Sequence, residues 1–157
     1  MPTGSWGNII QFTVSSTQAL PLDNITRQKT ARFAEHDIVG QPPRYEFVGP
    51  GLGTFSAEVY LGAPLGVVPR AILDQLQAAC DAGTSAILVI NGANVFRVGS
   101  LAVLDSISEA WSTFTGSGGL VTARGTLVWH EVAQVQTAQT TTVAGTKLVK
   151  ANVKRIP

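Results

Sequence analysis

Cys80, the single cysteine, and the two histidines, His36 and His130, have the side chains best suited to nucleophilic chemistry. A thiol becomes a nucleophile when an imidazole takes its proton, so a Cys–His pair is the first arrangement to test. The spacing argues against it. Cys80 falls in the run Ile72, Leu73, Leu76, Ala79, Cys80 at three-and-four spacing. A free cysteine on such an apolar stripe behaves as a small hydrophobe, and core packing is its expected role. Glu35-His36-Asp37 has the composition of a metal-ligand cluster. Consecutive residues on an extended chain point to opposite faces, however, and cannot converge on one ion unaided. Two histidines and one cysteine are also too few for a closed zinc site. These side chains are expected to hydrogen-bond to backbone or to a neighbour within a polar loop.

Other catalytic signatures fail on the same kind of test. LGAPLGVVPR (61–70) precedes the helical pattern but lacks the lysine and the spacing of a phosphate loop. The serines and threonines form no nucleophile elbow, and the carboxylates are scattered. Catalytic residues: none; metal ligands: none; cofactor: none is expected, and the chain reads as a non-enzyme. Trp6, Trp111 and Trp129 raise the possibility of a platform for single-stranded nucleic acid. That needs exposed rings interleaved with basic residues. Trp129 instead lies between Val128 and His130 in a core-type strand, and the expectation for all three is burial.

The elements that would carry these residues are mostly strands. Ile10, Phe12 and Val14 alternate with polar residues, as in a half-buried strand. A polar loop, Ser15 to Asn24, precedes an extended polar segment, Ile25 to Ala34. Pro42 and Pro43 are expected to break the chain before a short strand, Arg44 to Val48. GPGLG (49–53) reads as a turn, because glycine supplies positive φ and proline presets its own. Phe55, Ala57, Val59 and Leu61 then alternate strictly. The one helix expected is Val68 to Ala82, with Pro69 in its first turn and Gly83 at its left-handed cap. An apolar strand, Ala86 to Ile90, leads through Asn91-Gly92, a tight-hairpin signal, into Val95 to Val98. A long pair, Val103 to Thr115 and Leu120 to Val132, is joined by Gly116 to Gly119. The fold class is mainly β with one packed helix, α+β in kind, as a sandwich or barrel.

Composition narrows the function. The chain has 157 residues, about one domain, and only 13% of them are charged against 45% hydrophobic. Ordinary domains carry ~25% charged residues. With a mean hydropathy of +0.21, part of the surface is expected to be covered by partners. The net charge of +1 argues against bulk attraction to nucleic acid. It conceals an asymmetry: Lys147, Lys150, Lys154 and Arg155 follow the last acid, Glu131, so subtracting them leaves −3 for the body. Past Val132 the chain turns Gln/Thr/Ala-rich and loses periodicity. A body of residues 1–133 and an extended C-terminal arm of 134–157 are expected, the arm seeking an acidic neighbour through Lys147, Leu148, Lys150, Val153, Lys154 and Arg155. One cysteine fits a reducing cytoplasm. The N-terminal residues show no signal-peptide pattern, and no run reaches the ~20 apolar residues of a membrane helix.

The order of these elements resembles the GpU family of phage tail proteins. The run ARFAEHDIVGQPPRYEFVGPGLGTFSAEVYLGA (31–63) has the family's aromatic–Ala–Glu–His segment, Ile/Val–Gly turn, prolines, Gly-rich turn and alternating strand. ILDQLQAACDAG, DSISEAWSTFT and ARGTLVWHEV correspond to its later landmarks. The resemblance implies a structural tail-assembly protein of contractile phages or headless tail-like bacteriocins, related to the tail-tube subunit. It implies a ring of six copies at the baseplate end of the tube, assembled in the host bacterial cytoplasm. Its implied partners are itself, the tail tube protein, the baseplate hub, a LysM-bearing protein and the sheath or sheath initiator, with no membrane and no specific nucleic acid. The alternatives are a nucleic-acid-binding module using the basic tail, a ring at the neck end and, third, a hydrolase.

Overall fold

The computed structural model of the protein describes residues 2–133 together with two short strands at 141–143 and 146–148. Two antiparallel sheets form the body. The smaller has the order β2-β1-β6-β7 and is built from β1 (Pro2–Trp6), β2 (Ile10–Thr13), β6 (Leu88–Ile90) and β7 (Ala93–Asn94). The larger has the order β3-β4-β9-β8-β5 and is built from β3 (Leu22–Ile38), β4 (Gln41–Gly62), β9 (Leu120–Val132), β8 (Leu101–Phe114) and β5 (Ser85–Ala86). The chain changes sheets at Ile87, so the apolar run read as one strand is two short ones. The Asn91-Gly92 hairpin is present, with φ of 51° and 75° at those residues. Its return strand ends at Asn94, and Val95 to Val98 are irregular rather than a strand.

The core lies between the sheets and beneath the helix. Odd-numbered residues of β9 and of the second half of β4 face inward: Phe55, Ala57, Val59 and Leu61 on β4, Ala123, Leu127 and Trp129 on β9. Trp129 is the centre of an aromatic cluster, with Trp6, Phe12 and Phe55 at centroid distances of 6.1, 6.3 and 5.7 Å. Such rings bury the largest areas in a core and favour the edge-on geometry seen for Trp6 and Phe12. The indole N–H of Trp6 donates to the carbonyl of Ala102 at 3.0 Å, which ties the two sheets together.

Helix α1 (Pro69–Asp81) starts with proline in its first turn and ends where Gly83 takes φ +61°. Leu73, Leu76 and Ala79 are its buried face, and Ile72 and Cys80 flank that face half-buried. It packs on β8 and β9, opposite the position where Gly125 leaves room: a Cβ there would come within 3.2 Å of Val59 Cγ2.

The largest departure from the sequence reading is the β3–β4 hairpin. Pro42, Pro43 and GPGLG neither break nor reverse the chain. All lie within the 22-residue strand β4, and the reversal is at Val39-Gly40, where Gly40 has φ +78°. Gly49 pairs with Arg32, Pro50 with Ala31 and Gly53 with Lys29, with register shifts between Lys29 and Ala31 and between Arg32 and Phe33. Glycine and proline serve bulges as well as turns, and proline is tolerated in a strand whose outer edge is unpaired. Pro42, Pro43 and Pro50 all fall before Thr54, where pairing of β4 with β9 begins. Gly51 is required here, since a Cβ would collide with the carbonyl oxygen of Thr30. The strands β10 (Thr141–Val143) and β11 (Thr146–Leu148) form a separate antiparallel pair.

Candidate assembly interface

From Thr30 to Leu52 the hairpin has no third strand beside it among the described residues. At ~3.3 Å per residue its strands extend about 30 Å past the body. Nearly every side chain on this ribbon is exposed on both faces, and many are apolar: Phe33, Ile38, Val39, Tyr45, Phe47, Val48 and Leu52. Phe33 and Phe47 face each other across the strands at 5.6 Å and are still 56% and 61% exposed. Val39 at the tip is fully exposed. A lone two-stranded ribbon is at best marginally stable in water. A contiguous row of exposed apolar side chains marks an interaction surface.

The body holds the ribbon at its root through Glu131. In the inward phase of β9, Ala123, Leu127 and Trp129 are succeeded by this carboxylate, only 1% exposed. Its Oε1 accepts from Arg97 Nε at 2.9 Å and Ser100 Oγ at 2.8 Å, and its Oε2 accepts from the Gly53 N–H at 2.8 Å. Lys29 Nζ stands 3.5 Å from Oε2. Burial, the largest single influence, raises the pKa of Glu131. The Arg97, Gly53 and Ser100 hydrogen bonds and the Lys29 charge together overcome it and hold the value at about 2. Both strands of the ribbon are thus fastened to one anion where they leave the body, β3 through Lys29 and β4 through Gly53. A Cβ at Gly53 would stand 2.9 Å from the Phe96 ring and 3.3 Å from Glu131 Oε2, so the backbone approach needs glycine. Arg97 and Ser100 are delivered by the loop after β7. There Asn94 accepts from the Phe96 N–H and donates to the Ser100 carbonyl. Between this loop and the ribbon root lies a cavity of ≈ 250 Å³ lined by Arg27, Gln28, Lys29, Val95, Phe96 and Arg97.

The residues singled out for chemistry are kept apart. Cys80 Sγ contacts the Asp105 carbonyl at 3.6 Å, while the Asp105 carboxylate reaches His130 Nε2 at 3.5 Å. Among the described residues no hydrogen bond joins Cys80 to either histidine, and His36 is far out on the ribbon, 3.3 Å from Glu46. Glu35, His36 and Asp37 belong to a strand rather than a loop. Among the described residues no group of three or more His, Cys, Asp or Glu side chains is placed to hold a metal. No helix of the described residues is long and apolar enough to cross a membrane.

Trp6 and Trp129 are buried as expected, but Trp111 is 43% exposed. A bulge at Asp105 turns Trp111 to the inward side, opposite Ala123, but at the margin of the helix-covered face, where Arg70 of α1 stands 4.9 Å above its ring. Of the arm residues, Lys147 and Leu148 are on β11, opposite Thr142 and Thr141. Lys150, Val153, Lys154 and Arg155 lie outside the described residues.

Sequence reasoning missed Glu131 as an anchor, although its signal is visible: an acid in the same alternating phase as Leu127 and Trp129. No curated protein matches the chain. The profile of the family described as Phage P2 GpU matches residues 9–134, which includes the whole larger sheet, β2, β6 and β7 of the smaller one, the helix, the ribbon and the Glu131 anchor. The match covers most of the chain, and this chain belongs to the Phage P2 GpU family of phage tail structural proteins.

Proposed function

We propose that the protein forms a closed ring of copies, six in number, at the baseplate end of the tube of a contractile phage-type tail, linking tube to hub. The bare apolar ribbon carries this reading, since it is a costly feature for a chain that works alone and a natural one for a subunit that lays it on a neighbour. Unpaired strand edges supply a second means of joining copies, because ring closure satisfies their free N–H and C=O groups. The tube protein, hub, LysM-bearing protein and sheath or its initiator are the neighbours such a position provides. Residues 134–157 act as an arm on one of them through Lys147, Leu148, Lys150, Val153, Lys154 and Arg155. The end of the family match at residue 134 supports that division.

Labelling the protein within assembled particles and imaging them tests the position. Label at the baseplate end in six copies is expected. Label at the neck end overturns the position, and a single copy per particle overturns the ring.

A further inference from the structure

We propose that the cavity at the ribbon root receives the acidic, aromatic distal end of the ribbon of a second copy of this chain. The proposal rests on the ring reading and names the two halves of the contact that closes it. The receiving half is cationic. Arg27, Lys29 and Arg97 line the cavity, and one carboxylate, Glu131, faces them. Glu131 already has four partners, while Arg27 donates only to the Val95 carbonyl among the described residues, at 3.2 Å. Two positive charges are left over beside the ring of Phe96.

The entering half has the opposite character. Between Phe33 and Phe47 the ribbon carries Glu35, Asp37 and Glu46 against a single Arg44. Glu46 is engaged by His36, whereas Glu35 and Asp37 form no ion pair among the described residues. Glu35 stands opposite Tyr45, one pair along the same face from Phe33 and Phe47. An anion flanked by aromatic rings thus meets a cationic cavity with an aromatic wall. The two halves cannot meet within one molecule, because the ribbon holds its end about 30 Å from its own root. The chain from Ala133 onward carries four cations and no acidic side chain, so its side-chain charges repel this cavity. A tip-to-root contact is heterologous, and each copy offers one of each half, which is the condition for a ring or a stack to propagate.

Charge reversal in the full-length chain tests the contact, with one variant carrying Arg27→Glu and another Glu35→Arg with Asp37→Arg. Each alone is expected to weaken self-association, read by sedimentation at high protein concentration, by about tenfold or more, since Arg27→Glu cancels the excess positive charge of the cavity and sets a carboxylate beside the entering acids, and the ribbon variant sets cations against cations. Mixed in equal amounts, the two are expected to recover association, because each then offers a half complementary to the other. That recovery also shows that neither variant has lost its fold. Either variant associating like the parent, or a mixture of folded variants that stays apart, overturns the tip-to-root contact while rings of the parent persist. A single-stranded oligonucleotide that binds the parent and not Arg27→Glu, with self-association unchanged, overturns it in favour of a phosphate site. A parent that neither self-associates nor occurs in several copies per particle overturns the ring reading itself.

Discussion

Strand β4 passes through two environments, and Gly53 divides them. After Gly53 it has neighbours on both edges, and Phe55, Ala57, Val59 and Leu61 are buried while the residues between them face outward. Before Gly53 it has β3 alone among the described residues, and Phe47, Tyr45 and Val48 are exposed. The same backbone geometry serves stability in one half and availability in the other. A strand becomes a core element when another layer covers one face, as α1 and the small sheet do here. Without that layer its apolar side chains are free for a partner. Stability and assembly should therefore be separable by mutation on either side of Gly53.

The largest effect is expected in the body. Leu76→Ala removes a fully buried side chain from beneath the helix and should cost ~2–5 kcal/mol in denaturant unfolding, through lost transfer energy plus the cavity left behind. Cys80→Ala, one turn away and half-buried, should leave folding and assembly intact. A Leu76→Ala cost below about 1 kcal/mol would blur the division, by showing that the helix is no part of what holds the body together.

The junction should rank next. Glu131 has its pKa lowered from 4.5 to about 2. A carboxylate depressed by folding contributes stability that is complete above its unfolded pKa and is lost as pH falls through the folded one. The window is therefore pH 4.5 down to 2, and the shift corresponds to about 3 kcal/mol. Glu131→Gln should lose up to a similar amount at neutral pH, because Arg97 and Lys29 lose their shared anion, a loss limited by their access to water. Melting temperature against pH checks this. The parent should fall more steeply than the variant between pH 4.5 and 2, and parallel curves would remove Glu131 as the anchor.

The ribbon should show the reverse pattern. Phe33→Ser with Phe47→Ser deletes an exposed cross-strand aromatic pair, so the cost to the isolated chain should be ~1 kcal/mol or less. Incorporation into particles should fall severely. Sedimentation and particle yield measured on the same variant sharpen the contrast, and a collapsed fold with normal incorporation would invert it.

What the sequence revealed follows the same boundary. The helix and the Leu120–Val132 strand were legible because one face of each is buried, which leaves a 3.6- or 2-residue period in the residue types. The ribbon buries neither face, so Thr30 to Leu52 carries no such period, and its glycines and prolines suggested turns where the structure has bulges and an unpaired edge. Trp111 was misplaced because phase alone does not secure burial: the bulge at Asp105 sets it opposite the buried Ala123, yet Arg70 of α1 stands over its ring and 43% of it stays exposed. Glu131 was legible in phase but not in purpose, since its partners come from Lys29, Gly53 and Arg97, far apart in sequence. The cationic cavity is invisible for the same reason.

The smallest effect on the body should come from removing the chain beyond Ala133. Residues 134–157 are rich in Thr, Gln and Ala and poor in large apolar side chains, so they can offset little of their own ordering entropy. The last body residues, Glu131 and Val132, are already paired with Ala102 and Leu101 of β8. A chain ending at Ala133 should keep its β-rich circular dichroism spectrum and its melting temperature within a degree or two, on the order of a surface change. In an assembling tail the same truncation should give fewer or shorter particles. Neutralising Lys147, Lys150, Lys154 and Arg155 should give a milder defect that grows with salt, because rim charges steer and register a contact more than they hold it. Ribbon and arm would then be two assembly elements of opposite charge, one acidic at its end and one basic. A truncated chain that cannot fold would move the arm into the body. Unimpaired assembly would leave the ribbon as the element that joins this subunit to its neighbours.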